Sequence, residues 1–201
     1  MPLVDLFKRV IRFALKKTFF LIFQYPRYLK YNLLSNCRKV IGKPRLYQPL
    51  QIIGKGKVVF HKNVRIGVDP SPFLYNGYAY IDSRKANSII EFGENCVINN
   101  NFIAVAEGAG IEIGANTLIG LSCEIVDSDF HDSQPDKRNS GLVNTAKVKI
   151  GENVFIGSNV KILKGVEIGN NSVIANGSVV TKSIPDNVIA AGIPARVIRS
   201  L

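Results

Sequence analysis

At 201 residues the chain suits one ordinary domain with an appendage, and 46% apolar residues are enough for a real core. The net charge of +11 is uneven: residues 1–45 hold eleven Lys/Arg against the single acid Asp5, whereas the other 156 hold fifteen against fourteen acids. A nucleic-acid-binding fold would spread its basic surface over the folded body, so that class is excluded, and three widely spaced cysteines (Cys37, Cys96, Cys123) without a C-x-x-C pair read as reduced thiols of a cytoplasmic protein.

Residues 1–45 are expected to form a basic amphipathic arm. Leu6, Phe7, Val10, Ile11, Phe13, Leu15 and Phe19 to Phe23 are punctuated by Lys8, Arg9, Arg12, Lys16 and Lys17. The pattern predicts a helix from about Val4 to Gln24, ended by Pro26. Its longest uncharged run, Thr18 to Pro26, is far short of the ~20 residues a membrane span needs. Charges interrupt the start and no small-residue cleavage site follows, so no signal peptide is expected. Two readings of residues 1–36 stay open: an interfacial helix on an anionic leaflet, or a helix packed against a subunit neighbour.

From Tyr47 to Asn87 a six-residue spacing is ragged, with imperfect coils at Ile53-Gly54 and Ile66-Gly67. Tyr75, Tyr78 and Tyr80 lie in and after a turn-rich insertion around Asp69-Pro70-Ser71-Pro72. They suit either a sugar site or a cover over the open end of a stack.

Beyond Ile90 the pattern sharpens. Phe92, Ile98 and Ala104, then Ile113, Ile119 and Ile125, then Ile150, Ile156, Ile162, Ile168, Ile174 and Val180 recur six apart. A period of six fits neither a helix nor an ordinary strand. It fits a chain that runs straight, turns a corner and sends one branched side chain inward per side, three sides making a coil of eighteen. The expected body is a β-solenoid over 46–186 with a C-terminal tail over 187–201. Glu107-Gly108-Ala109-Gly110 reads as a corner with extra residues, and Asn99-Asn100-Asn101 as lying at or beside one. After Ile125 the register breaks. About seven residues are expected to be extruded within Asp127 to Lys147, a polar segment holding four of the fifteen acids and His131. Loops that interrupt a strict scaffold commonly carry function.

The block Ile150-Gly-Glu-Asn-Val-Phe-Ile-Gly-Ser-Asn-Val-Lys-Ile-Leu-Lys-Gly-Val-Glu-Ile-Gly, together with Val179-Val-Thr-Lys and Ala191-Gly-Ile-Pro-Ala-Arg, resembles the hexapeptide-repeat acyltransferases. The likeness is to the galactoside and maltose O-acetyltransferases and to the polysaccharide O-acetyltransferase branch. It implies a left-handed parallel β-helix, a homotrimer with sites between subunits, and acetyl-CoA as co-substrate without a metal. It implies His131, in Asp127-Ser-Asp-Phe-His, as general base toward a sugar hydroxyl, with Asp129 or Asp127 fixing its tautomer. Asn99, Asn101 and Asp127 would meet the acceptor. Ser158, Asn176, Thr181, Lys182, Arg196 and Arg199 would line the acetyl-CoA groove, the cations meeting its phosphates. Asn176 departs from the small residue usual there, and Phe155 stands where the family often has Trp. The acceptor expected is a surface polysaccharide or its precursor. An N-acetyltransferase of an amino sugar nucleotide and a non-catalytic scaffold are the alternatives. A zinc-dependent solenoid carbonic anhydrase needs three histidines, and the chain has two. His61 has no comparable setting and reads as structural.

Overall fold

The computed structural model describes residues 3–141 and 143–201. Met1 and Pro2 of the arm and Leu142 of the interrupting loop lie outside the described residues. The amphipathic pattern forms α1 (Leu3–Phe19), a π-helical turn (Phe20–Gln24) and α2 (Tyr25–Leu33). Helix therefore continues past Pro26, where an end was expected. Proline is tolerated in the first turn of a helix, where its missing N–H has no partner to lose, and Pro26 falls in the first turn of α2. Among the described residues no helix is long and apolar enough to cross a membrane.

Three parallel walls follow. The first stacks strands Lys39–Ile41, Lys57–Phe60, Ile89–Phe92, Ile111–Ile113, Val148–Ile150 and Glu167–Ile168. The second stacks Arg45–Leu46, Arg65–Ile66, Val97–Ile98, Leu118–Ile119, Phe155–Ile156, Val173–Ile174 and Val188–Gly192, closed by the antiparallel Ala195–Ser200. The third stacks Leu50–Ile53, Ala79–Ser83, Ile103–Ala106, Glu124–Val126, Lys161–Ile162 and Val179–Val180. The first coil thus starts at Lys39, within the stretch assigned to the arm.

The inward ladders are those the spacing picked out. Phe92, Ile113, Ile150 and Ile168 stand in register on the first wall, Ile98, Ile119, Ile156 and Ile174 on the second, and Ala104, Ile125, Ile162 and Val180 on the third. All are buried. Each large aliphatic withdrawn from water contributes roughly 1.5–3 kcal/mol before entropy is counted. Phe60, Phe92 and Phe102 widen the core near the N-terminal end, with ring centroids 5.1 and 6.1 Å apart.

Corners are set by residues that accept left-handed backbone. At the first–second edge Asn63, Asn95, Asn116, Asn153, Asn171 and Asn187 all have φ between 54° and 61°. Neighbouring amides bond one another, as from Asn153 to Asn171 at 3.0 Å and from Asn171 to Asn187 at 2.9 Å. Asparagine tolerates this region because its short amide bonds locally. Gly157 is a close approach: a Cβ there would lie 2.7 Å from the backbone nitrogen of Asn176 in the next coil.

Extra residues leave the stack only at corners. Ile125 is on the third wall and Ile150 on the first, adjacent sides that need six residues. Twenty-five separate them, so nineteen are extruded and not seven; the smaller figure treats these two sides as a whole coil apart.

Candidate active site at the corners of the stack

The loop that carries His131 leaves the stack at the edge between the third and first walls, and its foot is tied down. Ser128 bridges Thr145, and the Ala146 N–H donates to the Asp127 carbonyl at 2.9 Å. Phe130 takes φ +61°, and its N–H donates to Ser128 Oγ at 2.8 Å. The His131 N–H turns back to the Asp129 carbonyl at 2.7 Å. The imidazole is exposed, with Nδ1 3.2 Å from the carbonyl oxygen of Arg138 across the loop. A carbonyl can only accept, so Nδ1 carries the hydrogen in this pair and Nε2 keeps its lone pair facing outward.

Two expected roles change. Asp129, expected to fix the imidazole, instead pairs with Lys164 at 3.2 Å in the coil below, and Arg138 supplies the tautomer-fixing acceptor. Asp127, expected at the acceptor, is wholly buried. Its oxygens accept from the N–H groups of Glu107, Gly108 and Gly110 at 2.6, 3.1 and 2.7 Å. A carboxylate so engaged caps the wide corner at 107–110 and has no face left for a ligand.

The remaining expected residues divide between two edges. Thr181 and Lys182 follow the last strand of the third wall and share the edge of the His131 loop. Asn99, Asn101, Ser158 and Asn176 lie on the opposite edge of that wall, after strands of the second. There the Ser158 N–H donates to Asn176 Oδ1 at 2.7 Å, and Asn101 Nδ2 donates to Ser122 Oγ at 3.1 Å. The Asn99 amide oxygen accepts from the Asn100 N–H at 2.7 Å. Arg196 and Arg199 stand on the outermost strand of the second wall, exposed, each donating to a main-chain carbonyl nearby. One chain therefore separates His131 from the asparagine edge by the width of a wall.

Other candidates settle into structural places. His61 Nε2 meets Glu91 Oε1 at 2.6 Å across coils of the first wall. Tyr78 stacks on Tyr31 of α2 at 4.1 Å between centroids, and Tyr75 meets Phe19 edge-on at 5.7 Å, so these rings cover the helical arm. No group of three or more potential metal ligands occurs among the described residues. Lys164 and the Arg138 carbonyl carry no sequence signal; only the folded loop brings them to the site.

Residues 147–182 match the family model described as bacterial transferase hexapeptide (six repeats). A Staphylococcus haemolyticus chain named as an acetyltransferase is 43% identical over 143 residues, covering 60% of this chain and 74% of that one. This chain belongs to the hexapeptide-repeat transferases. The fold is accordingly the left-handed parallel β-helix. Among solved members, a polysialic-acid-specific acetyltransferase, NeuO, superposes with a TM-score of 0.62 at 28% identity over 83% of this chain and 69% of its own. A galactoside acetyltransferase in complex with coenzyme A gives 0.50 at 42% identity over 57% and 55%. The chain spans 56–63% of the length of three curated relatives that it matches.

Proposed function

We propose that the chain transfers an acetyl group from acetyl-CoA to a hydroxyl of a surface polysaccharide or its precursor. His131 Nε2 removes the hydroxyl proton as the oxygen attacks the thioester carbonyl; the C–S bond then breaks and the imidazolium returns the proton to the leaving thiolate. The observation that carries the reading is the tethered imidazole, its Nδ1 set on the Arg138 carbonyl so that Nε2 is the free base. The galactoside and polysialic-acid names of the relatives, and the coenzyme A in one of them, support the acceptor and donor classes.

Assembly follows from the split between edges. Ligand sites are concave, and the His131 edge meets the asparagine edge only if one copy lies against another. The homotrimer typical of the family supplies that contact, with Asn99, Asn101, Ser158 and Asn176 of one copy facing His131 of the next. Val97, Leu118, Phe155 and Val173 form an outward apolar ladder on the second wall that such a neighbour would cover. Thr181, Lys182, Arg196 and Arg199 would meet the pantetheine and phosphates of the donor.

The arm would hold the enzyme at the cytoplasmic face of a membrane. Phe7, Ile11 and Leu15, four apart on α1, are exposed, as are Lys8, Arg9 and Arg12. Apolar insertion beside cations suits an anionic lipid surface.

Purified protein with acetyl-CoA and a glycan acceptor should give an alkali-labile acetyl ester by mass spectrometry. An alkali-stable amide would establish the N-acetyltransferase instead. Full activity in His131→Ala would remove the mechanism and favour the scaffold. For the arm, flotation with phosphatidylglycerol vesicles should be lost in Phe7→Glu/Leu15→Glu. A changed oligomeric state with unchanged flotation would show the arm packing on a neighbour.

A further inference from the structure

The foot of the His131 loop is gripped by a residue 46 positions earlier in the chain. Arg84 sits at the corner that ends the third-wall strand Ala79–Ser83, two coils toward the N-terminus from the loop. Its Nε donates to Asp82 Oδ2 at 2.7 Å and its Nη1 to Glu107 Oε2 at 3.2 Å. Asp82 is almost wholly buried and also accepts from the Tyr80 hydroxyl at 3.3 Å. Burial opposes the guanidinium charge, but the hydrogen bonds to Asp82 and Glu107 more than offset it and hold its pKa above the ordinary value. Fixed by two carboxylates, the guanidinium carbon lies 5.0 Å from the centre of the Phe130 ring. Phe130 is the residue before His131, and its left-handed backbone is uncommon for a bulky side chain, so contacts must hold it there. The Glu107 that pairs with Arg84 also gives its N–H to Asp127 at the loop's first residue. On the other side Lys164 holds Asp129.

We propose that Arg84 is a positioning residue for His131: through Asp82 and Glu107 it presents a flat cation to Phe130, and this clamp fixes the backbone from which the imidazole projects. The assignment rests on the catalytic reading of His131, but the clamp has a consequence independent of chemistry. The loop already presents the exposed pair Lys137-Arg138, and a released foot frees it to take the extended form that trypsin cuts.

The experiment compares Phe130→Leu, Arg84→Gln, Arg84→Lys and the double variant Arg84→Gln/Phe130→Leu in the full-length protein. Cleavage at Lys137-Arg138, followed by mass spectrometry, should quicken about fivefold in Phe130→Leu and in Arg84→Gln, the scale of one partly exposed cation–π contact. Arg84→Lys, a point charge without the plane, should fall between. The double variant should go no further than the singles, because both remove one contact. In parallel kcat should drop about tenfold with KM for acetyl-CoA unchanged, the mark of a misplaced base with intact donor binding. Unchanged cleavage and kcat in Phe130→Leu, or single effects that multiply in the double variant, would overturn the clamp. Phe130→Leu leaves every ion pair intact, so it decides the matter if Arg84→Gln fails to fold around an unpaired Asp82. Should His131→Ala keep full activity, the catalytic reading fails, and the cleavage rates still decide whether the clamp exists.

Discussion

Two insertions leave the same stack at corners, and they are treated in opposite ways. The one at 67–78 is tied along its length. Asn100, fully buried, donates to the carbonyls of Val68, Ser71 and Pro72 and accepts from the Val68 N–H. Gln48 holds the Phe73 carbonyl at 2.8 Å, Arg27 of α2 reaches the Leu74 and Gly77 carbonyls, and Leu74 is buried. The one at 127–147 is tied at its foot, while Ser133 to Gly141 are exposed throughout. The first insertion is a bracket that seats the helical arm, and the second is, on the proposed mechanism, a mount for one imidazole. A solenoid tolerates both because strand register continues beneath them.

The largest expected effect breaks the second loop's chemistry and leaves its structure alone. His131→Ala should lower kcat by about three orders of magnitude, the range for a lost general base, with an unchanged melting temperature because the ring is exposed. Next comes the bracket. Asn100→Ala removes the four bonds that a buried amide makes to the half-buried Val68 and Ser71 and the exposed Pro72, and should cost about 1–3 kcal/mol in urea unfolding. If Asn100→Ala left stability unchanged and lowered acceptor turnover, the first insertion would be part of the site and the contrast would dissolve.

The sequence made the regular half of this molecule legible and hid the bracket. Ile150 to Val180 announce themselves because each side has one job, an inward aliphatic every six residues. Nearer the N-terminus the same inward ladder runs Phe60, Ile66, Ile81, Phe92, and the intervals of fifteen and eleven after Ile66 conceal it. Asn100 looked like one of three equivalent corner amides; only burial separates it from Asn99 and Asn101. His131 was singled out by the break in register around it and by the family resemblance. Its surroundings were not, because a main-chain carbonyl seven residues on meets the imidazole, and a lysine in another coil meets Asp129, only after the loop closes. Pro26 misled because a proline reads as a stop, whereas after a π turn it serves as a start.

A third prediction tests the scaffold between the two insertions. Burial in the stack raises the Cys96 and Cys123 thiols to about 11 from an ordinary value near 9. Native protein should therefore resist alkylation at both positions at pH 8 and react at the half-buried Cys37. The sign on stability follows. The unfolded chain loses these protons near pH 9 and the folded chain only near 11, so their contribution is complete below 9 and is lost as pH rises through 11. A urea midpoint flat across that window would show that the coils beneath the loops are wetter than their packing implies.

The smallest effect belongs to the exposed tip. Asp132 Oδ1 accepts the Gln134 N–H at 2.8 Å in a turn at the surface, and Gln134 accepts the Lys137 N–H at 3.0 Å. Surface turns of this kind contribute little, so Asp132→Ala should change stability by less than about 0.5 kcal/mol. In the bracket Leu74 is packed, while Phe73, Tyr75 and Asn76 beside it are exposed. What makes the substitution informative is where the tip stands: beside the imidazole, on the edge that a second copy would face. A rise in acceptor KM at constant stability and constant acetyl-CoA KM would place the tip on the glycan's side of the cleft. Unchanged kinetics would confine the acceptor to the asparagine edge of the neighbouring copy, leaving the extruded loop to deliver the base alone.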